Sequence, residues 1–141
     1  MKTGDATFIK AETHQTENIG TTELKLVVFE LKKPASGSKA KMPEVDDQVK
    51  AAPDSTKVVL DNDRVRLLET KLKAGGKLAK HSHPAYAVYA VTDAKYKMTT
   101  GDKTEEKSLG AGMATAFGPT THAVENAGTS DITSLVLEFK E

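Results

Sequence analysis

Three histidines of this chain have the residue type and the spacing to hold a metal ion. His81 and His83 lie two positions apart in residues 77–83, a segment with the pattern of an extended strand. Because alternate side chains of a strand share a face, both imidazoles would point the same way and could bind one ion. Imidazole is the commonest metal-ligating side chain, and His122 follows later in the chain as a third candidate. The rest of the chain must then bring His122 to the pair.

Length and composition bound what this chain can be. Its 141 residues suffice for one domain, or for one domain with an appendage. Lys and Arg together number 20, as do Asp and Glu, so the zero net charge gives no reason to expect nucleic acid or an anionic membrane as a partner. The absence of cysteine excludes disulfides, a thiolate nucleophile and cysteine-ligated metal sites. No apolar run reaches membrane-spanning length and residues 1–5 lack the apolar core of a secretory signal, so we expect a cytoplasmic protein.

From residue 57 onward the chain reads as a series of short strands separated by turn signals. Apolar and β-branched runs are interrupted by Gly, Pro, Asn and Asp, and no segment keeps a helical period. Many short strands at this spacing predict an all-β sandwich or barrel. The predicted strands are 57–60, 65–73, 77–83, 85–91, 95–99, 103–108, 113–117, 122–125 and 132–139.

Residues 33–56 differ in composition from the segments around them. They contain several prolines and lysines and little to bury, which predicts a linker or an irregular surface arm, with room for a short helix within 45–52. The chain therefore divides into residues 1–32, a linker at 33–56 and a barrel at 57–141.

Two segments of the barrel resemble the sequence motifs of the cupin superfamily. Residues 75–83, which begin with a glycine and end in His-Ser-His, are similar to the first motif, and residues 112–126 are similar to the second. The resemblance covers residues 57–139, a whole small barrel, and small single-barrel cupins are the most similar in pattern. It implies a double-stranded β-helix of jelly-roll type with a divalent metal inside the barrel.

The resemblance also implies the metal ligands. Carried onto this chain, the family's histidines are His81, His83 and His122, whereas the family's glutamate has no counterpart because Ala87 and Val88 occupy its expected positions. Three neutral imidazoles leave a doubly charged ion with open positions for water or substrate. Such a site favours Fe, Zn, Ni or Cu over hard, oxygen-seeking ions.

An internal repeat relates the N-terminus to the end of the barrel. Residues 4–32 align without a gap on residues 112–140, which pairs His14 with His122. The N-terminal segment thus resembles half of a second cupin, as in a degenerate or truncated bicupin, and His14 reads as a relic or a structural residue. Half a barrel has no partner for its inner face, so we expect a strand at 24–31 to join a sheet of its own or a neighbouring subunit. A homodimer formed by strand addition is the expected assembly.

Aromatic residues near the histidines are candidates for a substrate pocket. Tyr86, Tyr89 and Phe117 are predicted to line or fill the barrel. Strand alternation places Tyr86 and Tyr89 on opposite faces, and the register near Pro84 leaves open which tyrosine faces the pocket.

Two functions remain open from the sequence, and catalytic residues stay unassigned. The first is a metal-dependent cupin enzyme that acts on a small molecule in a dioxygenase-like or isomerase-like reaction. The alternative is a non-catalytic, small-molecule-binding or regulatory cupin without metal, which the missing glutamate favours. No phosphate-binding glycine loop or nucleotide fingerprint is present.

Overall fold

A computed structural model describes residues 1–32 and 45–140 of the chain, and nearly all of its regular structure is β-strand. One short helix, α1 (Gln48–Ala51), precedes the strands. The strands of the described part are β1 (Thr56–Asp61), β2 (Val65–Leu72), β3 (Lys77–His83), β4 (Tyr86–Ala90), β5 (Ala94–Thr100), β6 (Lys103–Leu109), β7 (Ala114–Phe117), β8 (Thr120–Asn126) and β9 (Ile132–Phe139). Each corresponds to one predicted strand, so the all-β prediction is confirmed.

The strands form two antiparallel sheets that face each other. The five-stranded sheet has the order β1-β2-β9-β4-β7, and the four-stranded sheet has the order β3-β8-β5-β6. Most neighbours in these orders are distant in sequence, so the chain crosses repeatedly from one sheet to the other. This double-sheet winding is the jelly-roll arrangement that the sequence predicted.

Apolar side chains on the inner faces of both sheets make two core clusters. The first cluster contains Leu68, Tyr86 and Val136, and the second contains Leu72, Leu78, Ala94 and Ile132. Burying one large side chain, such as a leucine or an isoleucine, contributes roughly 1.5–3 kcal/mol to folding.

The helix α1 is joined to the barrel, although residues 33–56 were predicted to be a linker. Asp47 caps the helix, since its carboxylate accepts hydrogen bonds from the backbone N–H groups of Val49 and Lys50. The Ser82 N–H donates to the Asp46 carbonyl over 3.1 Å, so this segment covers the free edge of β3. The predicted helix within 45–52 therefore exists, with narrower bounds, whereas residues 33–44 lie outside the described part of the chain.

Gln48 explains why this segment is bound to the barrel. Its side chain is 2% exposed, and its amide nitrogen donates to the hydroxyl groups of Thr56 and Thr70 over 3.0 and 2.6 Å. The composition of residues 33–56 could not reveal this contact, because Thr70 lies on β2, outside the segment.

Residues 1–32 contain no helix or strand, and most of their side chains are exposed. Ile19 is 93% exposed and Val28 is 74% exposed. The prediction that a strand forms at 24–31 is therefore wrong for the single chain. The corresponding barrel residues form β9 because β2 and β4 flank them, and the N-terminal copy has no such neighbours within the described residues.

One turn is nevertheless the same in both copies of the repeat. The Asn18 side chain accepts a hydrogen bond from the Gly20 N–H and donates to the Thr22 carbonyl. In the barrel, Asn126 makes the corresponding bonds with the Gly128 N–H and the Ser130 carbonyl. The two copies thus share a local turn structure as well as sequence.

Within the described ranges, the structure contains no helix long and apolar enough to cross a membrane.

Candidate metal centre

Two neighbouring strands place the three predicted histidines side by side. His81 and His83 lie on β3, and the register pairs His81 directly with His122 on β8. All three are buried, at 0, 3 and 5% exposure. One nitrogen of each ring can be chosen so that the three lie within 4.8 Å of one another. The structure therefore brings together the residues that the sequence singled out.

The spacing of one pair of these nitrogens fits a single ion. The Nε2 atoms of His81 and His122 are 3.1 Å apart. Two nitrogens that each lie about 2.0–2.1 Å from one zinc ion are themselves roughly 3 Å apart. The His81 ring is steeply inclined to the rings of His83 and His122, at 86° and 73°, so the three rings do not stack on one another.

Two of the rings have their Nδ1 atoms directed to specific neighbours. His81 Nδ1 lies 2.6 Å from the Ala79 carbonyl, to which it donates, so its Nε2 is left as the ligand atom. His122 Nδ1 lies 3.3 Å from the sulfur of Met98. These contacts orient Nε2 of both rings toward each other.

The third ring is held by a carboxylate that the sequence analysis missed. His83 Nδ1 donates to Glu138 Oε1 over 2.7 Å, and Arg66 Nε donates to Glu138 Oε2 over 2.6 Å. Glu138 is 1% exposed. Carboxylates that bond the remote nitrogen of a ligand histidine fix the ring and raise its basicity, so Glu138 supports His83 and is not part of the ligand group. A single acidic residue within the apolar run of β9 was the signal that could have identified it.

Opposing effects set the protonation of Glu138. Burial alone would raise the pKa of this carboxyl group, but hydrogen bonds from His83 and Arg66, together with their charges, hold the pKa below its ordinary value. Arg66 also donates to Asp47 over 3.2 Å. A continuous polar chain thus links His83 to the cap of α1.

Burial keeps the other two imidazoles neutral. Desolvation lowers the pKa of His81, with the charge of His83 as a further cause. Desolvation, with the neighbouring His81 and His83, lowers the pKa of His122 to about 3. A metal binds the deprotonated ring, so both groups are ready to ligate at neutral pH.

The histidines open into a cavity of about 90 Å³ between the two sheets. Tyr86 and Phe117 line it, and the Tyr86 ring stacks on both His83 and Phe117, with centroid distances of 4.3 and 5.0 Å. Tyr89 is not part of the lining, which corrects its assignment to the pocket, because alternation turns it to the opposite face of β4. His14 lies away from this site, exposed and 3.7 Å from Glu12.

The buried Tyr86 hydroxyl lacks a regular hydrogen-bond partner among the described residues. Burial raises the pKa of Tyr86, as does nearby Tyr96, while a weak interaction with the Thr120 side chain opposes them. The Thr120 hydroxyl donates to the Gly118 carbonyl. The Tyr86 hydroxyl is therefore protonated at neutral pH, and it makes no hydrogen bond of normal geometry within the described part of the chain.

Comparison with solved structures identifies the fold. A cupin-domain protein of Bordetella pertussis superposes with a TM-score of 0.58 over 61% of this chain and 92% of its own, at 24% sequence identity. An RmlC-like cupin family protein of Methanocaldococcus jannaschii, with a double-stranded β-helix fold, superposes with a TM-score of 0.52 over 77% of this chain and 94% of its own, at 11% identity. No protein-family model matches the sequence. No curated protein matches it significantly.

The architecture and these similarities define the fold: the chain has the double-stranded β-helix fold that these cupin proteins share. The predicted fold class is thereby confirmed, together with a cluster of three histidines that could hold a metal ion.

Proposed function

We propose that this cupin-fold chain binds one divalent transition metal through His81, His83 and His122, and that it binds and transforms a small molecule at the positions these ligands leave open. The convergence of three buried imidazole nitrogens within 4.8 Å carries the proposal. Fe, Zn, Ni and Cu suit an all-imidazole donor set. When bound, such an ion would polarise a ligand oxygen or present dioxygen, which fits a dioxygenase-like or isomerase-like reaction.

Residues of the chain prepare the site for this role. The pKa values of His81 and His122 are lowered, so protons do not compete with the ion near neutral pH. Glu138 fixes the tautomer of His83 by accepting from its Nδ1 atom. The apolar walls of the cavity exclude water from whatever binds there.

Metal analysis of protein purified without a histidine tag tests the proposal. We expect near-stoichiometric metal in the wild-type chain and its loss in the His81→Ala and His122→Ala variants. His14→Ala is the matched control, because His14 is exposed and remote, and it should retain the metal. Wild-type protein that stays metal-free after incubation with Fe²⁺, Zn²⁺, Ni²⁺ and Cu²⁺ at neutral pH would contradict the proposal.

A metal-free binding protein is the second candidate, and one contact favours it. His81 and His122 are close enough to hydrogen-bond directly through their Nε2 atoms, at 3.1 Å, so the two rings can satisfy each other without an ion. If this alternative holds, the same metal analysis finds no ion while a small molecule still binds in the cavity.

A further inference from the structure

The lining of the cavity contains no carboxylate to balance a doubly charged ion. Among the described residues, those lining the cavity include the three histidines but no Asp, Glu, Lys or Arg. Glu138 lies behind His83, and both of its oxygens are engaged by His83 and Arg66. A buried, uncompensated charge is costly, so a metal held by neutral imidazoles favours a ligand that brings one negative charge of its own.

Away from the histidines, the described lining of the cavity offers no charged partner for a second charge. Most of its side chains there are apolar, such as Leu72, Leu78 and Ile132, and its polar groups are the neutral side chains of Gln48, Thr70, Tyr96 and Ser134. An ammonium group or a second carboxylate on the ligand would be desolvated without a counter-charge. The charge of the ligand is therefore confined to the end that meets the histidines, and its remainder is apolar.

Tyr86 provides a hydrogen-bond donor at the charged end. The residue is 1% exposed, lines the cavity and stacks on His83, and its hydroxyl is unpaired. A carboxylate has two oxygens, so it can accept from Tyr86 with one of them while the other remains for the ion. The Tyr86 hydroxyl thereby gains an acceptor in the complex.

The volume limits the ligand to a short chain. About 90 Å³ is several times the roughly 10–15 Å³ that a cavity needs to hold one water, and it is far below the roughly 300–1,000 Å³ of pockets for drug-sized molecules. Only a few non-hydrogen atoms fit.

We propose that the cavity takes a short, aliphatic monocarboxylate, with its carboxylate toward His81, His83 and His122 and its alkyl group between the two sheets. This inference rests on the proposed metal site. It excludes amino acids and dicarboxylates of the same size, since each carries a second charge into the apolar part of the cavity.

Titration of the cobalt(II)-loaded protein with three compounds of one shape tests whether the cavity prefers a monocarboxylate. Isobutyrate is the probe, alanine replaces one methyl group by an ammonium group, and isobutyramide replaces the carboxylate by a neutral amide. The visible absorption of cobalt reports changes at the ion directly. We expect isobutyrate to change the spectrum saturably, and alanine and isobutyramide to bind at least about tenfold more weakly.

Tyr86→Phe tests the donor while it preserves the stacked ring. Loss of one hydrogen bond should weaken isobutyrate binding about fivefold to tenfold. Tyr89→Phe is the matched control, because Tyr89 does not line the cavity, and it should bind as the wild type does.

The outcomes separate this inference from the proposed function. Failure to bind cobalt together with Fe²⁺, Zn²⁺, Ni²⁺ and Cu²⁺ overturns both. Cobalt binding with no response to isobutyrate, or with equal affinity for isobutyrate and alanine, overturns the monocarboxylate alone. Unchanged affinity in Tyr86→Phe overturns the role given to its hydroxyl.

Discussion

Glu138 shows how one side chain serves both the fold and the site. It lies on the inner face of β9, where it joins His83 to Arg66 through two short hydrogen bonds. The register places Glu138 opposite both Arg66 and Tyr86, so three strands meet at this residue. The cupin motif includes a glutamate among its ligands, and this chain lacks a glutamate at that position. The carboxylate found near the three histidines is that of Glu138 on β9, which contacts His83.

Replacing Glu138 with Gln should weaken both stability and metal binding. The change removes the buried one of the two carboxylates that Arg66 contacts and leaves Asp47 as its partner, so the cost should stay below the roughly 3–5 kcal/mol of breaking a fully buried ion pair. Loss of the carboxylate behind a ligand histidine lowers metal affinity about 10-fold to 100-fold. Urea denaturation and a zinc titration measure the two effects.

Glu106→Gln is the matched control for this change. Glu106 is exposed and its ion pair with Lys95 lies on the outer surface, so stability should change by less than about 0.5 kcal/mol. Equal stabilities of the two variants would show that the buried cluster contributes nothing.

Acid should destabilise the metal-free protein before ordinary carboxyl groups titrate. In the folded state the pKa of His122 is lowered from 6.5 to about 3, and that of His81 is also lowered. The unfolded chain therefore binds more protons below pH 6.5, and stability falls as the pH drops toward 3. His122 alone should account for about 2 kcal/mol between pH 7 and pH 5.

Urea denaturation of the apo protein at several pH values measures this dependence. The stability of the His122→Asn variant should depend less on pH, whereas the His14→Asn variant should keep the wild-type dependence. The same slope in both variants would contradict the assignment to the buried ring.

At the scale of elements, the strands were predictable and their long-range partners were not. Turn residues and short apolar runs are local signals, and they located every strand from β1 to β9. The burial of Gln48 and Glu138 depends on Thr70, Arg66 and His83, which only the folded sheets bring near. His81 and His83 were identified because their spacing on one strand implies a shared face, and His122 because its segment resembles the second cupin motif.

The helix α1 should depend on Asp47 for more than its cap. Asp47→Ala removes both the capping carboxylate and the ion pair with Arg66, and the expected cost is about 1–2 kcal/mol. Asp47→Asn retains a capping side chain, so it should cost less. Chemical denaturation of the two variants, with Asp46→Asn as a control that leaves the Asp46 carbonyl in place, measures the difference. If the Asp47→Ala and Asp47→Asn variants are equally stable, the capping side chain does not stabilise this segment.

At the scale of the molecule, residues 4–32 align in sequence with the last three strands, but they form no strand themselves. Their apolar side chains, such as Ile19 and Val28, are largely exposed, although the turn at Asn18 is already formed. Exposed apolar residues with strand-forming sequence favour pairing with a sheet edge of another chain. We therefore propose assembly of a homodimer through this segment.

Light scattering of the purified protein tests the assembly. We expect the whole chain to be dimeric and a chain without residues 1–32 to be monomeric. Val28→Lys, which places a charge in the predicted strand, should weaken the dimer in the intact chain. If the truncated chain forms an assembly with the same number of subunits and the same stability as the intact chain, residues 1–32 are not needed for the dimer.

The stacked ring of Tyr86 has an optical consequence. The chain contains three tyrosines and no tryptophan, so its intrinsic ultraviolet emission comes from tyrosine alone. One of these three chromophores lies against His83, at the proposed ion position. A paramagnetic ion such as Cu²⁺ at the histidines would quench that emission, while the Tyr89 signal from the outer face of β4 would remain as an internal reference. The tyrosine fluorescence of the wild-type chain should therefore report whether such an ion is bound in the barrel.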